Sequence, residues 1–201
     1  MVNENKKIFN KLAQSYKNLW VNDIKEKRRV EKIVKIFGLK KGMCVLEPGC
    51  GRGEFTPFIL NKTGSQGKVY LVDIADKMMN YAKNNLKKYK NIKFFNCCAS
   101  KIPLQSQILD MVVVFNSFPH FYPKEKFIKE FNRLLKEKGI LIICHDMPSR
   151  KINELHNNEK FNMKKNILPD KKEMFKMLMK QGFVVKKYEN KEYYFLKAQK
   201  Q

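Results

Sequence analysis

The period of the hydrophobic pattern changes along the chain. Over residues 5–37 the spacing is helical: Ile8, Leu12, Ser15 and Leu19 share one face, as do Ile24, Val30, Ile33, Val34 and Phe37. Short, nearly unbroken apolar runs then take over at 43–46, 69–72, 92–95, 111–115 and 140–144. The first ends in Glu47-Pro48-Gly49 and the second in Asp73. Runs of this length read as strands, and the lack of alternation means that both faces are buried. Helical patterns at 54–61, 76–89 and 124–136 separate most of them. Strand–helix alternation of this kind predicts a parallel sheet covered by helices on both faces. The tail differs. A helix at 171–180 precedes apolar runs at 183–185 and 193–196, and the short turn near Asn190-Lys191 makes these a hairpin with an antiparallel last strand. The class is therefore α/β: a Rossmann-like open sheet, mostly parallel, closed by a C-terminal hairpin.

In such sheets ligands bind beyond the C-terminal ends of the strands, where the strand order reverses. The first strand-to-helix turn reads Glu47-Pro48-Gly49-Cys50-Gly51-Arg52-Gly53-Glu54. Its glycines stand at 49, 51 and 53, whereas a dinucleotide fingerprint, G-x-G-x-x-G, needs its third at 54, which is Glu. A pyrophosphate favours backbone N–H groups and no competing carboxylates, so Glu47 and Glu54 argue for a cationic ligand instead. Asp73 follows Gly53 by 20 residues, the interval expected of a ribose-binding acid.

These segments resemble the class I S-adenosylmethionine-dependent methyltransferases of the small-molecule type. Glu-x-Gly-x-Gly-x-Gly looks like that family's first motif, and Val72-Asp73-Ile74-Ala75-Asp76-Lys77-Met78 like its second. Cys98-Ala99-Ser100-Lys101-Ile102-Pro103-Leu104 resembles the segment that meets adenine, with Cys98 where an Asp is common. Leu109-Asp110-Met111-Val112-Val113 and the helix-turn 131–139 resemble the entries to strands four and five. The resemblance implies S-adenosylmethionine as cofactor, with Glu47, Gly49, Cys50, Gly51, Gly53, Asp73, Ile74, Met78, Ala99 and Asn116 around it. The segment from Phe9 to Tyr16 resembles an N-terminal stretch whose aromatic closes over the donor, which makes Tyr16 and Trp20 candidates. It also implies one domain over 1–201: N-terminal helices and lid at 1–37, a cofactor-binding core at 43–145, a second candidate lid at 146–169, and the terminal helix and hairpin at 170–201.

The acceptor side is less specific. Asn116-Ser117-Phe118-Pro119 does not match the acidic or amide residue, paired prolines and aromatic of enzymes that methylate amino groups of adenine or glutamine. All three histidines, His120, His145 and His156, fall in segments expected to rim one pocket. His120 and His145 are candidate general bases, and the three together are candidate ligands of a divalent transition metal. Packing or solvated roles for all three remain an open alternative.

Composition adjusts this picture little. The chain has 201 residues, 42 Lys and Arg against 19 Asp and Glu, and a net charge of +23. A nucleic-acid partner fits that charge, but only five of the basic residues are Arg, and the Lys are spread through every predicted helix. An RNA methyltransferase using the lysine surface, or a non-catalytic S-adenosylmethionine-binding module, is therefore the alternative to a small-molecule enzyme. The five cysteines include no C-x-x-C pair, so reduced thiols are expected rather than a zinc knuckle. No apolar run reaches eighteen residues and the N-terminal residues are polar, so neither a membrane span nor a secretory signal is expected, and the expected location is cytoplasmic.

Overall fold

The computed structural model describes residues 2–14, 23–157 and 166–201, without the side chains of 2 and 3. The elements are α1 (Val2–Leu12), α2 (Ile24–Lys35), β1 (Cys44–Pro48), α3 (Thr56–Thr63), β2 (Lys68–Asp73), α4 (Asp76–Asn85), β3 (Ile92–Asn96), β4 (Leu109–Phe115), α5 (Lys124–Leu134), β5 (Leu135–His145), α6 (Ser149–Asn157), α7 (Lys171–Lys180), β6 (Phe183–Asn190) and β7 (Tyr194–Lys200). They form one seven-stranded sheet of order β3-β2-β1-β4-β5-β7-β6. The first five strands pair in parallel. β7 runs antiparallel between β5 and β6. The order reverses between β1 and β4, which places the binding crevice at their C-terminal ends.

The unbroken apolar runs have a direct cause. Successive side chains point to opposite faces of a strand. On one face Leu46, Val112, Val114, Leu141 and Ile143 pack with Phe127 and Phe131 of α5 and Leu178 of α7. On the other, Val45, Met111, Val113 and Ile142 meet Val30 and Val34 of α2 and Ile59 of α3. Each such side chain contributes about 1.5–3 kcal/mol by leaving water, so neither face tolerates a polar position.

The boundaries depart from the sequence reading where polarity hides an element. α3 begins at Thr56 rather than 54, and α4 ends at Asn85 rather than 89. α5 stops at Leu134, and β5 starts at the next residue. Its first residues, Lys136-Glu137-Lys138, are exposed and carry no apolar signal. Lys136 is nonetheless held at 2.6 Å by Asp110 beside it. β6 runs to Asn190, well past 185, because an edge strand can carry Lys186, Lys187 and Glu189 and so discourage pairing with another chain. Of the five thiols, Cys50 and Cys144 are buried, while Cys44, Cys97 and Cys98 are half-buried.

Candidate functional site

The glycine loop is fixed to β2 before it meets any ligand. Gly49 and Cys50 both donate to the Val72 carbonyl, at 2.7 and 3.1 Å. Gly49 has φ +71°, and a Cβ there would lie 2.6 Å from Ser117 Cβ at the end of β4, so the close approach itself requires glycine. Ser117 reciprocates by donating to the Pro48 carbonyl at 3.1 Å. Gly51 has φ +55°, but a Cβ there would meet nothing within 4 Å, because that side of the loop opens into the crevice. Gly53 is turned away from the crevice and packs on Leu86 and Ala82.

Two buried carboxyls stand behind the loop. Asp73, at the end of β2, accepts from Gly51 N and from Ala75 N, both at 2.8 Å. Each oxygen thus takes at least one backbone hydrogen, and the roughly four acceptor sites of a carboxylate leave room for a further donor. Burial pushes its pKa up, and the backbone N–H groups of Ala75, Gly51 and Ile74 oppose the rise. Asp73 therefore secures both the loop and the entry to α4. Asp76, the first residue of that helix, binds Lys6 and Asn10. Glu47 is pushed up to about 8 by burial, against the hydrogen bond it accepts from Thr56 at 2.8 Å and with the aid of Asp73. Burial thus favours its neutral form, and Glu54 lies 3.6 Å from the Arg52 guanidinium. The two loop glutamates are thus not the bare negative charges that the sequence argument against a pyrophosphate assumed.

A cavity of about 510 Å³ extends from this loop across the strand ends. Of the residues expected around a cofactor, Glu47, Gly49, Cys50, Gly51, Asp73, Ile74, Met78, Ala99 and Asn116 line it. Gly53 does not. Tyr16, like Trp20, lies outside the described residues. Asn116 takes φ +52°, which a residue of its type tolerates, and its Oδ1 accepts from Asp146 N at 3.1 Å. The Asp146 carboxyl is raised by burial, against a hydrogen bond from Asn116 and the nearby Arg29.

The far end of the cavity is lined by all three histidines. The His120 and His156 rings lie 4.9 Å apart at 57°, and Phe9 meets His120 edge-on at 4.9 Å. Burial holds His120 and His145 down to about 3, with His156 contributing to both, so each is neutral at pH 7. His120 keeps part of its surface open to the cavity although atoms crowd it on most sides. Zinc ligands must converge on one point at about 2.0–2.1 Å. Among the described residues no three His, Cys, Asp or Glu side chains are arranged to hold a metal ion. Among the described residues the three imidazoles share a chamber without forming a ligand set.

Asn5 and Asp146 had no sequence signal as cavity residues, whereas Phe9 and Leu12 belong to the stretch expected to cover the donor. α1 lies across the opening: Asn5 Nδ2 donates to the His120 carbonyl at 2.9 Å, and Asn10 accepts from Lys77 N at 2.9 Å. Asn5, Phe9 and Leu12 thereby become walls of the cavity. Asp146 follows directly on His145 at the end of β5, a position that fold logic alone could have flagged.

The comparisons with known proteins agree with this geometry. A family profile described as a methyltransferase domain matches residues 39–199. A demethylmenaquinone methyltransferase of Staphylococcus aureus is 27% identical over 142 residues, which are 69% of this chain and 58% of that protein. The chain thus spans little more than half the length of that relative. A solved SAM-dependent methyltransferase from Aquifex aeolicus is 27% identical and superposes with a TM-score of 0.70 over 87% of this chain and 96% of that one. The [4+2]-cyclase SpnF, 14% identical, shares the fold at a TM-score of 0.69 over 86% and 80% of the two chains, so the fold alone does not fix the reaction. With a matched region covering the sheet, the glycine loop and the cavity floor, the chain belongs to the methyltransferase-domain family.

Proposed function

We propose that this protein is an S-adenosylmethionine-dependent methyltransferase acting on a small-molecule acceptor. The observation that carries the reading is the pairing of Gly51, whose open side faces the crevice, with Asp73, which fixes that loop and keeps lone pairs to spare. Asp73 is assigned the ribose hydroxyls. Ile74, Met78, Cys98 and Ala99 are assigned to the adenine side, and Glu47, Gly49, Cys50, Gly51 and Asn116 to the methionine side. Gly53 shapes the turn from behind. When bound, the cofactor supplies a sulfonium methyl already activated for in-line displacement.

What the chain adds is alignment and exclusion of water. The loop and Asp73 fix one reactant against the strand ends. Phe9 and Leu12 of α1 and Leu155 of α6 cover the cavity with apolar surface, which supports a lid role for 1–37 and 146–169 within one domain. His120 and His145 stand on the acceptor side, where a neutral imidazole can accept a proton from a protic acceptor. The similarity to a demethylmenaquinone methyltransferase supports a small acceptor rather than a macromolecular one. All five cysteines are free, which supports a reducing, cytoplasmic setting, and no described helix is long and apolar enough to cross a membrane.

Titration calorimetry with S-adenosylmethionine, S-adenosylhomocysteine and NAD tests the assignment. The first two are expected to bind saturably and NAD not to bind. Binding of NAD without any response to S-adenosylmethionine would overturn it.

A further inference from the structure

The cavity carries charge of the opposite sign to the chain. The sequence holds 42 Lys and Arg against 19 Asp and Glu. Among the described residues lining the cavity, Glu47, Glu54, Asp73 and Asp146 stand against Arg52, and no lysine is present. A recess of that sign draws cations from the surrounding field. Three of the four acids are engaged on the donor side. Glu47 accepts from Thr56 at 2.8 Å, Glu54 lies beside Arg52, and Asp73 accepts from Gly51 N and Ala75 N.

Asp146 is different. It is half-buried at the end of β5, and among the described residues no Lys, Arg or His forms an ion pair with it. Arg29 of α2 pairs with Glu26 at 2.7 Å instead. Asn116, whose Oδ1 holds Asp146 N at 3.1 Å, is neutral. A carboxylate drawn out of water without a cation is costly unless the ligand brings one. Its backbone is fixed on both sides, by Asn116 and by Tyr194 N, which donates to the Met147 carbonyl at 3.1 Å. The carboxyl is therefore held at the cavity wall before any ligand arrives.

The sheet assigns this carboxyl to the acceptor. In the order β2-β1-β4-β5, β5 stands two strands from the glycine loop and three from Asp73. At about 4.8 Å per strand that is roughly 10 Å and 14 Å across the sheet, beyond the loop that takes the methionine side. The cavity wall around Asp146 is otherwise apolar, with Phe121, Phe127, Met147, Ile152 and Leu155 lining it.

We propose that the methyl acceptor is an amine on a small apolar body, and that Asp146 is the residue that selects it by pairing with its ammonium group. This deepens the methyltransferase reading and rests on it. In the transfer the ammonium gives one proton to the Asp146 carboxylate, which exposes the nitrogen lone pair. That pair forms the bond to the methyl carbon, the carbon–sulfur bond of the donor breaks, and its electrons stay on sulfur. The products are the methylated ammonium and S-adenosylhomocysteine, and the proton on Asp146 leaves to solvent. Exclusion of water favours the first step, because an amine beside a carboxylic acid needs less solvation than the ion pair.

Protein saturated with S-adenosylhomocysteine is titrated by calorimetry with 2-phenylethylamine, with the neutral 2-phenylethanol and with the anion 3-phenylpropionate. The amine is expected to bind more than about tenfold tighter than the alcohol, as a charged hydrogen bond does over a neutral one, and the anion not to bind. Asp146→Asn should erase that gap by weakening the amine alone, with S-adenosylhomocysteine affinity held within about twofold. Asp146→Glu should restore part of the preference, and Asp146→Ser replaces Asp146→Asn if circular dichroism shows that the latter does not fold. With S-adenosylmethionine supplied, the parent protein should release S-adenosylhomocysteine in the presence of the amine and not of the alcohol. Alcohol binding as tight as the amine, no binding of either, or a preference that survives the loss of the carboxylate overturns the proposal. A folded variant that loses S-adenosylhomocysteine along with the amine also overturns it, by placing Asp146 against the donor. Failure of S-adenosylhomocysteine to bind the parent protein overturns the donor reading instead.

Discussion

At Gly51 one atom separates a ligand path from a blocked one. A side chain there would project into the crevice, so Gly51→Val is expected to lower S-adenosylmethionine affinity more than tenfold, with a smaller loss of stability from a β-branched residue at φ +55°. Asp73→Ala removes the acceptor for Gly51 N and Ala75 N and should weaken the donor by about 1–3 kcal/mol. Calorimetry on both variants, with circular dichroism melts as the folding control, checks this pair. His145 gives a stability test. Its folded pKa of about 3 lies below the ordinary 6.5, so the stability it contributes is present above pH 6.5 and is lost as pH falls toward 3. Between pH 7 and pH 5 that loss is about 2 kcal/mol, and urea melts of His145→Gln should lack it. At this scale the sequence was legible where the chemistry is local. The spacing of Gly49, Gly51 and Gly53 and the acid closing β2 identify one end of the cavity unaided. The partnership of Asn5 with His120 spans 115 residues and leaves no local trace.

Among the elements, α1 covers the cavity through apolar packing and a few polar ties. Phe9 and Leu12 pack against the cluster of Ala13, Ala75 and Met78, and the polar ties include Asn5 to His120, Lys6 to Asp76 at 3.0 Å, and Asn10 to Lys77 and Asp76. Exposed ion pairs of this kind contribute about 0.2–1 kcal/mol. Replacing Lys6 and Asn10 together by Ala should therefore speed hydrogen exchange through α1 and leave the amides of β1 and β4 as protected as before. β1, β2, β4 and β5 were readable because burial on both faces forces unbroken apolarity, whereas β3, an edge strand with no fully buried residue, showed itself only through Ile92, Phe94 and Phe95. The start of β5 and the far half of β6 were not, because neither position demands it. Lys136 is held by a carboxylate and the end of β6 by backbone pairing to β7. The helices covering the cavity show the same limit: α6 has a helical pattern, but its bearing on the histidines comes from docking, which no periodicity encodes.

For the whole molecule the net charge of +23 sets the background for every binding experiment. A mixed-sequence RNA oligonucleotide is expected to bind at low salt and to lose more than tenfold in affinity between about 50 and 200 mM salt. That binding should be insensitive to S-adenosylmethionine and to Gly51→Val, as expected of a surface field unconnected with the crevice. Fluorescence anisotropy across a salt series measures both. An RNA complex that survives salt and competes with the donor would instead favour a nucleic-acid substrate.

The place of β7 in the sheet has a further consequence, for synthesis. Residues 194–200 do not lie at an edge; they are inserted between β5 and β6, and on the side of β5 away from β4, His145, Cys144 and Ile143 pair with Tyr194, Phe195 and Leu196. While the chain is being made, β1 to β5 can assemble, but the open side of β5 then presents an unpaired edge that is apolar over residues 140–144. That edge stays uncovered until some fifty more residues have left the ribosome. The nascent chain is therefore most exposed to aggregation after β5 has emerged and before β7 has, and any factor that shields it has to act on a particle whose crevice is already largely formed.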